Sequence, residues 1–300
     1  MDEKKKKTKL KTINIVLDIF IYSVLSIFTL VLLFLFLRIF VFSGFRIPTD
    51  SMMPAIVPGD YVLVNKTAYG ARLFNLSNAL EGERVRIRRM PGYSRVRRND
   101  VVVFHIPYPN TWQRMEMDMM QYFIKRCIGI PGDTIRIVNG IYVVNSDTEQ
   151  YFGNIESQRM LSHTPAEMLP AGVYRAFPFD SLLNWTIKDF GPLYIPRKGD
   201  TIELDRTNIL LYRRLIEWEK NRTLIVERDS LWDNGNHLAY HIFAHNYFFM
   251  GGDMVQNSQD SRYWGLVPEE FIVGRAVLIW SSRDRHSGEM RRDRVWRRIR

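Results

Sequence analysis

The sequence predicts a mostly β domain held behind a single N-terminal transmembrane α-helix. One apolar run of membrane length stands near the N-terminus, and it is the only such run in the chain. Beyond it, four turn signals open directly into short apolar strand patterns: Pro58-Gly59-Asp60 before Tyr61–Val64, Asn99-Asp100 before Val101–Phe104, Pro131-Gly132-Asp133 before Thr134–Ile137, and Gly199-Asp200 before Thr201–Leu204. Asn139-Gly140, set between Ile135–Val138 and Ile141–Val144, is a two-residue hairpin signal. The spacings are irregular, which excludes a repeat architecture.

The N-terminus carries six lysines before residue 12. Ile19–Leu37 then supplies 19 residues without a charge, about 28 Å of helix at 1.5 Å per residue. The run is too apolar all round for an amphipathic core helix. It is longer than the apolar region of a cleaved signal sequence, and Val41-Phe42-Ser43-Gly44 offers bulky residues where a cleavage site needs small ones. The expectation is an uncleaved anchor, with the lysine flank in the cytoplasm and everything after Phe42 outside it.

Three hundred residues with 46% hydrophobic content can bury a real core. The net charge of +10 is concentrated in clusters: the N-terminal lysines, seven arginines from Arg84 to Arg98, and six from Arg291 to Arg300. Beside a membrane span such clusters favour anionic lipid headgroups, and nucleic acid is not expected outside the cytoplasm. Ala68–Asn99 reads as a solvated or lipid-facing loop. The arginine-rich end reads as a short interfacial helix or a disordered tail, with membrane contact favoured. The four methionines Met115, Met117, Met119 and Met120 read as packing or an apolar edge. Cys127, the single cysteine, excludes an intramolecular disulfide and a cysteine zinc cluster. Asn208–Asn221 has helical spacing, with Leu211, Leu215 and Trp218 on one face.

Chemistry concentrates just after the anchor. In Phe45–Asp60, Ser51 stands between Pro48 and Pro54, which predicts a stiff, extended, non-helical segment. A lone serine there would be a turn or surface residue. Two further stretches bear on it: Phe123–Asp133, FIKRCIGIPGD, and Gly251–Arg275, GGDMVQNSQDSRYWGLVPEEFIVGR. With these residues the chain resembles bacterial type I signal peptidases, membrane-anchored serine proteases that remove signal peptides. The first stretch is similar to the family's nucleophile box, the second to its lysine box and the third to its C-terminal box, all in family order.

Peptide hydrolysis needs a nucleophile, a base and donors for the oxyanion. The resemblance implies Ser51 as nucleophile and Lys125 as general base. An ordinary lysine titrates near 10.4 and is protonated at neutral pH. Phe123, Ile124, Ile128 and Ile130 fit an apolar pocket that lowers that value, while strand alternation would turn Arg126 outward. The resemblance also implies that Ser258 orients the lysine amine and that Asp260 and Arg262 form a structural ion pair. Asp253 matches the aspartate of the family's Gly-Asp motif. The Ser51 backbone N–H and the Thr49 hydroxyl would hold the oxyanion. Asp50 stands where some relatives have glycine, and Met254-Val255 replaces the family's usual Asn-Arg.

Six histidines raise a Ser-His-Asp alternative. No Gly-x-Ser-x-Gly elbow surrounds a serine, and the i,i+4 pair His241 and His245 lacks a zinc-protease glutamate. No metal and no cofactor are expected.

The organisation expected is a basic cytoplasmic N-terminus over 1–12, the anchor over 13–42 and a first catalytic part over 43–146. A variable non-catalytic part over 147–240, the C-terminal box over 241–286 and a basic tail over 287–300 complete it. The resemblance implies a signal-peptidase-like extracytoplasmic β domain on the bacterial inner membrane, facing the periplasm. It would cleave secretory preproteins after small residues, in contact with the lipid bilayer and its anionic headgroups, and association with the secretion machinery follows as a further partner. The alternative is a catalytically inactive relative that binds preproteins or serves as a scaffold. A related Ser–Lys fold serves self-cleaving cytoplasmic repressors, which lack this anchor.

Overall fold

The computed structural model describes residues 2–75, 77, 85, 87–147 and 150–299. Arg84, Arg86 and Arg300, and the side chains of the N-terminal lysines, lie outside the described residues.

The apolar run forms the helix Asp2–Phe36, which continues through one π-helical turn, Leu37–Val41, into the strand Phe42–Arg46. From residue 14 on, its side chains face outward on every side, and nothing in the chain covers them. Asn14–Val41 is the one helical span among the described residues long and apolar enough to cross a membrane.

Phe42–Arg46 opens an eight-stranded antiparallel sheet. Its neighbours follow in the order Asp60–Asn65, Ile272–Ser282, Val101–His105, Tyr122–Gly129, Tyr247–Gly251 and Val267–Pro268, and Arg297–Arg298 pairs with Ile272–Ser282. Alternate residues of Val101–Phe104 enter different cores. Val102, Phe104, Cys127 and Ile128 belong to the larger cluster. Val101, Val103 and Ile124 join Ile47, Met52, Ile56, Val62 and Ile279 in the smaller one. A strand covered on both faces has no polar side, and all five residues of Val101–His105 are buried.

The Pro131-Gly132-Asp133 turn leads into a second, three-stranded sheet, in which Thr134–Val138 lies between Ile141–Val144 and Phe190–Tyr194. Asn139 and Gly140 both have positive φ, 47° and 82°, as the expected two-residue hairpin turn requires. The expected helix spans Arg206–Lys220 and buries Ile209, Leu211, Tyr212, Leu215 and Ile216. It starts two residues early because Asp205 caps it, accepting a hydrogen bond from the Asn208 N–H.

The basic end differs from its expectation. Arg292–Arg294 is one 3₁₀ turn and Arg297–Arg298 an edge strand, so this end is neither an interfacial helix nor disordered. Ion pairing explains the order: the Arg294 guanidinium holds both oxygens of buried Asp60 at 3.1 and 2.7 Å and the Ala55 carbonyl at 3.0 Å. Two members of the first arginine run are likewise bonded to the protein. Arg89 donates to the carbonyls of Gly70, Glu269 and Ile272, and Arg98 pairs with Asp133.

Candidate active site

Ser51 sits on a closed loop between the first two strands. Backbone bonds Ile47 N–H to Asp60 O and Gly59 N–H to Ile47 O, both 2.9 Å, tie its two ends together. Met52 and Ile56 sink into the smaller core and fix its underside. The segment is a turn, where the prolines had predicted an extended run. Met53 N–H donates to Asp50 O at 2.8 Å, which places Ser51 at the second turn position behind an aspartate, a favoured first residue.

Lys125 lies in the middle of the strand Tyr122–Gly129, paired with Val102. Its Nζ donates to Ser51 Oγ at 2.5 Å, with the lysine 2% and the serine 8% exposed. The amine also lies 5.3 Å from the centre of the Phe123 ring. Burial lowers the Lys125 pKa to about 8, the Arg262 charge adds to the fall, and Asp260, Asp253 and Asp50 oppose it. An amine titrating there can be free of its proton close to neutral pH, in contact with a hydroxyl it could deprotonate.

Arg126 does not point into solvent as alternation had suggested. It is buried in a bidentate pair with Asp253, at 2.7 and 2.6 Å, and donates to the Asn99 carbonyl at 2.8 Å. The far face of this strand is covered by protein, so turning away from Lys125 still leads inward.

The C-terminal box closes over Ser51. Met254 N–H donates to the Ser51 carbonyl at 3.0 Å. A Cβ on Gly252 would lie 2.7 Å from that carbonyl and 2.1 Å from Ser258 Oγ, so only glycine permits this approach. Ser258 is thus buried against the loop, but its hydroxyl donates to the Gln259 carbonyl at 3.5 Å, and no hydrogen bond joins it to Lys125. Asp260 and Arg262 form a fully buried ion pair at 2.8 Å. Asp260 also accepts the Gly252 N–H at 3.0 Å, and Arg262 donates to the carbonyls of Val255 and Ser258. The pairing holds the Asp260 carboxyl below its ordinary value against the opposing effect of burial. At the Met254-Val255 pair, the Val255 carbonyl accepts from Arg262, its N–H donates to the Ser157 hydroxyl, and its side chain is buried in the larger core. Thr49 is exposed beside the serine and makes no side-chain hydrogen bond among the described residues.

The histidines lead elsewhere. His105 is buried against Tyr122, its pKa lowered to about 3 by burial first and then by the Arg72 charge. His241 pairs with Glu219 at 2.7 Å and His245 with Glu270.

Sequence reasoning missed two features of the site. Asn257 donates to both oxygens of Asp50, at 3.1 and 2.9 Å, joining the serine loop to the C-terminal box. Three arginines of the C-terminal segment grip the serine loop by its carbonyls: Arg285 at Pro48, Arg291 at Pro58 and Arg294 at Ala55. No local pattern could have revealed contacts made across more than 200 positions.

Comparison with known proteins shows the family. The family described as signal peptidase, peptidase S26, matches residues 20–281. A signal peptidase I of Buchnera aphidicola (subsp. Acyrthosiphon pisum) is 29% identical over 296 residues, covering 96% of this chain and 81% of its own length. That of Pseudomonas aeruginosa is 29% identical over 270 residues, covering 86% and 71%. A solved signal peptidase I from Enterococcus faecalis V583 aligns with 61% of this chain and 97% of its own, at 16% identity and a TM-score of 0.29. With most of its length matched, the chain belongs to the signal peptidase family, peptidase S26, and is a peptide-bond hydrolase.

Proposed function

We propose that this chain cleaves signal peptides from exported preproteins by a Ser51–Lys125 mechanism. The observation that carries the reading is the buried 2.5 Å contact between Lys125 Nζ and Ser51 Oγ. Lys125, unprotonated, takes the Ser51 proton as Oγ attacks the scissile carbonyl. The Ser51 N–H and the Thr49 hydroxyl receive the oxyanion. The tetrahedral intermediate collapses, the lysine ammonium gives its proton to the leaving amine, and the signal peptide remains as an ester on Ser51. Lys125 then deprotonates a water that hydrolyses the ester, returning the proton to Ser51. To orient the amine, Ser258 would turn its hydroxyl from the Gln259 carbonyl toward Lys125, from its place against Gly252. The Asp253–Arg126 and Asp260–Arg262 pairs hold the surrounding backbone.

Asn14–Val41 anchors the chain in the inner membrane, with the β domain outside the cytoplasm and the site near emerging preproteins. Small residues before the cleavage point suit shallow pockets beside the buried serine, and an extended substrate would pair with strand edges. Incubation of the purified full chain with a preprotein tests the reading: cleavage after a small residue is expected, lost in Ser51→Ala and Lys125→Met. Cleavage that survives Lys125→Met would reject the base. Protease added outside the inner membrane should digest the chain after Phe42 and spare the N-terminus; cytoplasmic exposure of Trp185 would reverse the topology.

A further inference from the structure

The catalytic proposal leaves one group of cations unused, at the end of the membrane-length helix. The Lys66 ammonium donates to the carbonyls of Arg38 and Ile39 at 2.9 and 3.0 Å, and the Lys66 N–H donates to the Val41 carbonyl at 2.8 Å. Arg72 and Arg38 place two more positive charges beside it. Burial and these two charges together lower the Lys66 pKa to about 8. Among the described residues no carboxylate lies within ion-pair distance of Lys66, Arg38 or Arg72. Arg72 Nη1 is buried without an acceptor. Three like charges gathered without a counterion repel one another, and a buried donor without an acceptor adds to the cost. An anion seated there would relieve both.

A cavity of about 400 Å³ is lined by Phe36, Phe40, Val41, Leu73, Met90 and Pro91, and also by Thr67 and Ala71, the chain neighbours of Lys66 and Arg72. Phe36, Phe40 and Val41 belong to the last turns of the membrane span, and Leu73, Met90 and Pro91 to the domain that follows it. Cavity and cations therefore lie together where the span meets the β domain. Each half alone is ambiguous, but their juxtaposition specifies an amphiphile. A soluble anion would leave the apolar cavity empty, and a neutral apolar segment would leave the charges uncompensated.

We propose that this junction binds one anionic phospholipid of the surrounding bilayer, with an acyl chain in the Phe36–Phe40–Leu73–Met90 cavity and the phosphate among Lys66, Arg38 and Arg72. The site rests on the reading of Asn14–Val41 as a membrane anchor. Arg89 adds a further positive charge near Arg72, but its donors and those that Arg98 turns to Asp133 are already engaged with protein acceptors, so neither is counted in the site.

The test is native mass spectrometry of the full chain released from micelles of mixed phosphatidylcholine and phosphatidylglycerol. One phosphatidylglycerol should be retained in preference to phosphatidylcholine. Lys66→Gln combined with Arg72→Gln should lower that retention about tenfold or more, at roughly 1 kcal/mol per cation. Leu73→Trp, which fills the cavity and keeps the charges, should lower retention of both lipids and guards against misfolding of the charge variant. Equal retention of the two lipids, or retention unchanged in both variants, overturns the proposal. So does displacement of the lipid by a stoichiometric apolar signal-peptide segment, which would assign the cavity to substrate. Flotation with vesicles of phosphatidylcholine alone reads the anchor separately: a chain that floats but shows no phosphatidylglycerol preference loses the lipid site and keeps the anchor, whereas a chain that does not float loses both.

Discussion

Lys125 and Arg126 are neighbours on one strand, both cationic by nature and both buried, yet they meet opposite surroundings. The lysine side faces a serine hydroxyl and an aromatic ring, with no carboxylate in hydrogen-bond contact among the described residues. The arginine side faces a carboxylate that matches its fork in a bidentate pair. Burial without a partner makes the charged form costly, so the lysine gives up its proton readily. Burial with a matched carboxylate keeps the arginine charged and turns it into a fixed structural ion. A lysine can serve as base because it can be discharged; arginine cannot. The same strand thus builds its reactive group on one face and its rigid frame on the other.

The largest effect should come from breaking the lysine side. Ser51→Ala and Lys125→Met should each reduce the rate of preprotein cleavage by at least about 10⁴, and the double variant should lose little more, since the two groups act as one unit. Single-turnover rates of the three proteins give the comparison. Additive losses would mean that the two side chains act in separate steps.

Breaking the arginine side should act on stability first. Asp253→Asn leaves the Arg126 charge buried without its counterion, a loss of about 3–5 kcal/mol. Urea unfolding reads it directly. Substituting both Arg126 and Asp253 by leucine or methionine should recover most of the loss, as matched apolar pairs generally do. If Asp253→Asn were as stable as the parent, the frame would rest elsewhere, on Asp260–Arg262 or on the arginines that grip the serine loop.

What could be read from the sequence, and what could not, divides along similar lines. The serine, lysine and C-terminal boxes are short local patterns with proline and glycine at fixed places, so Ser51, Lys125 and Asp260–Arg262 stood out before any contact was known. The Asn139-Gly140 hairpin and the helix through Leu211 and Leu215 were legible for the same reason: turn chemistry and spacing act over a few residues. Arg126 was misjudged because alternation assumes a solvated face, and here both faces are covered. The local form of the C-terminal arginines was misjudged because Arg294 and Asp60 stand 234 positions apart, and charge composition alone does not reveal an ion pair at that distance. Asp205 as a cap and Asp50 as a turn-former were local signals that could have been used.

The two faces also differ in what substitution does to stability. Lys125→Met should remove activity but stabilise the fold at neutral pH. In the unfolded chain the amine holds its proton up to about 10.5, in the folded chain only up to about 8. Below 8 both states are protonated and the fold bears the full cost of the buried charge, about 3 kcal/mol by the shift. Between 8 and 10.5 the unfolded state binds more protons, so the parent gains stability as pH rises and the advantage of methionine shrinks. Urea unfolding of the two proteins at pH 7 and pH 10 should show the gap closing. A gap that widened would mean that the lysine is not discharged by folding.

The smallest effect belongs to Asp50, which touches the lysine side only through its field. Its carboxylate is fixed by Asn257 and has the weakest influence on Lys125 of the charges around it. Its sign is opposite to desolvation: a negative charge nearby stabilises the ammonium and raises the lysine pKa. With Lys125 as base, kcat/KM of the parent should rise with pH through an acidic limb near 8. Asp50→Asn keeps the shape of the side chain and removes the charge, so the limb should move to lower pH, by less than about one unit because the charge acts only weakly on the amine. Raising the ionic strength should leave this shift largely in place if the pair is shielded from solvent, and erase it if the carboxylate is open to water. A limb that moved upward would show that Asp50 acts through the geometry of the serine turn, where its carbonyl holds Met53, and not through its charge.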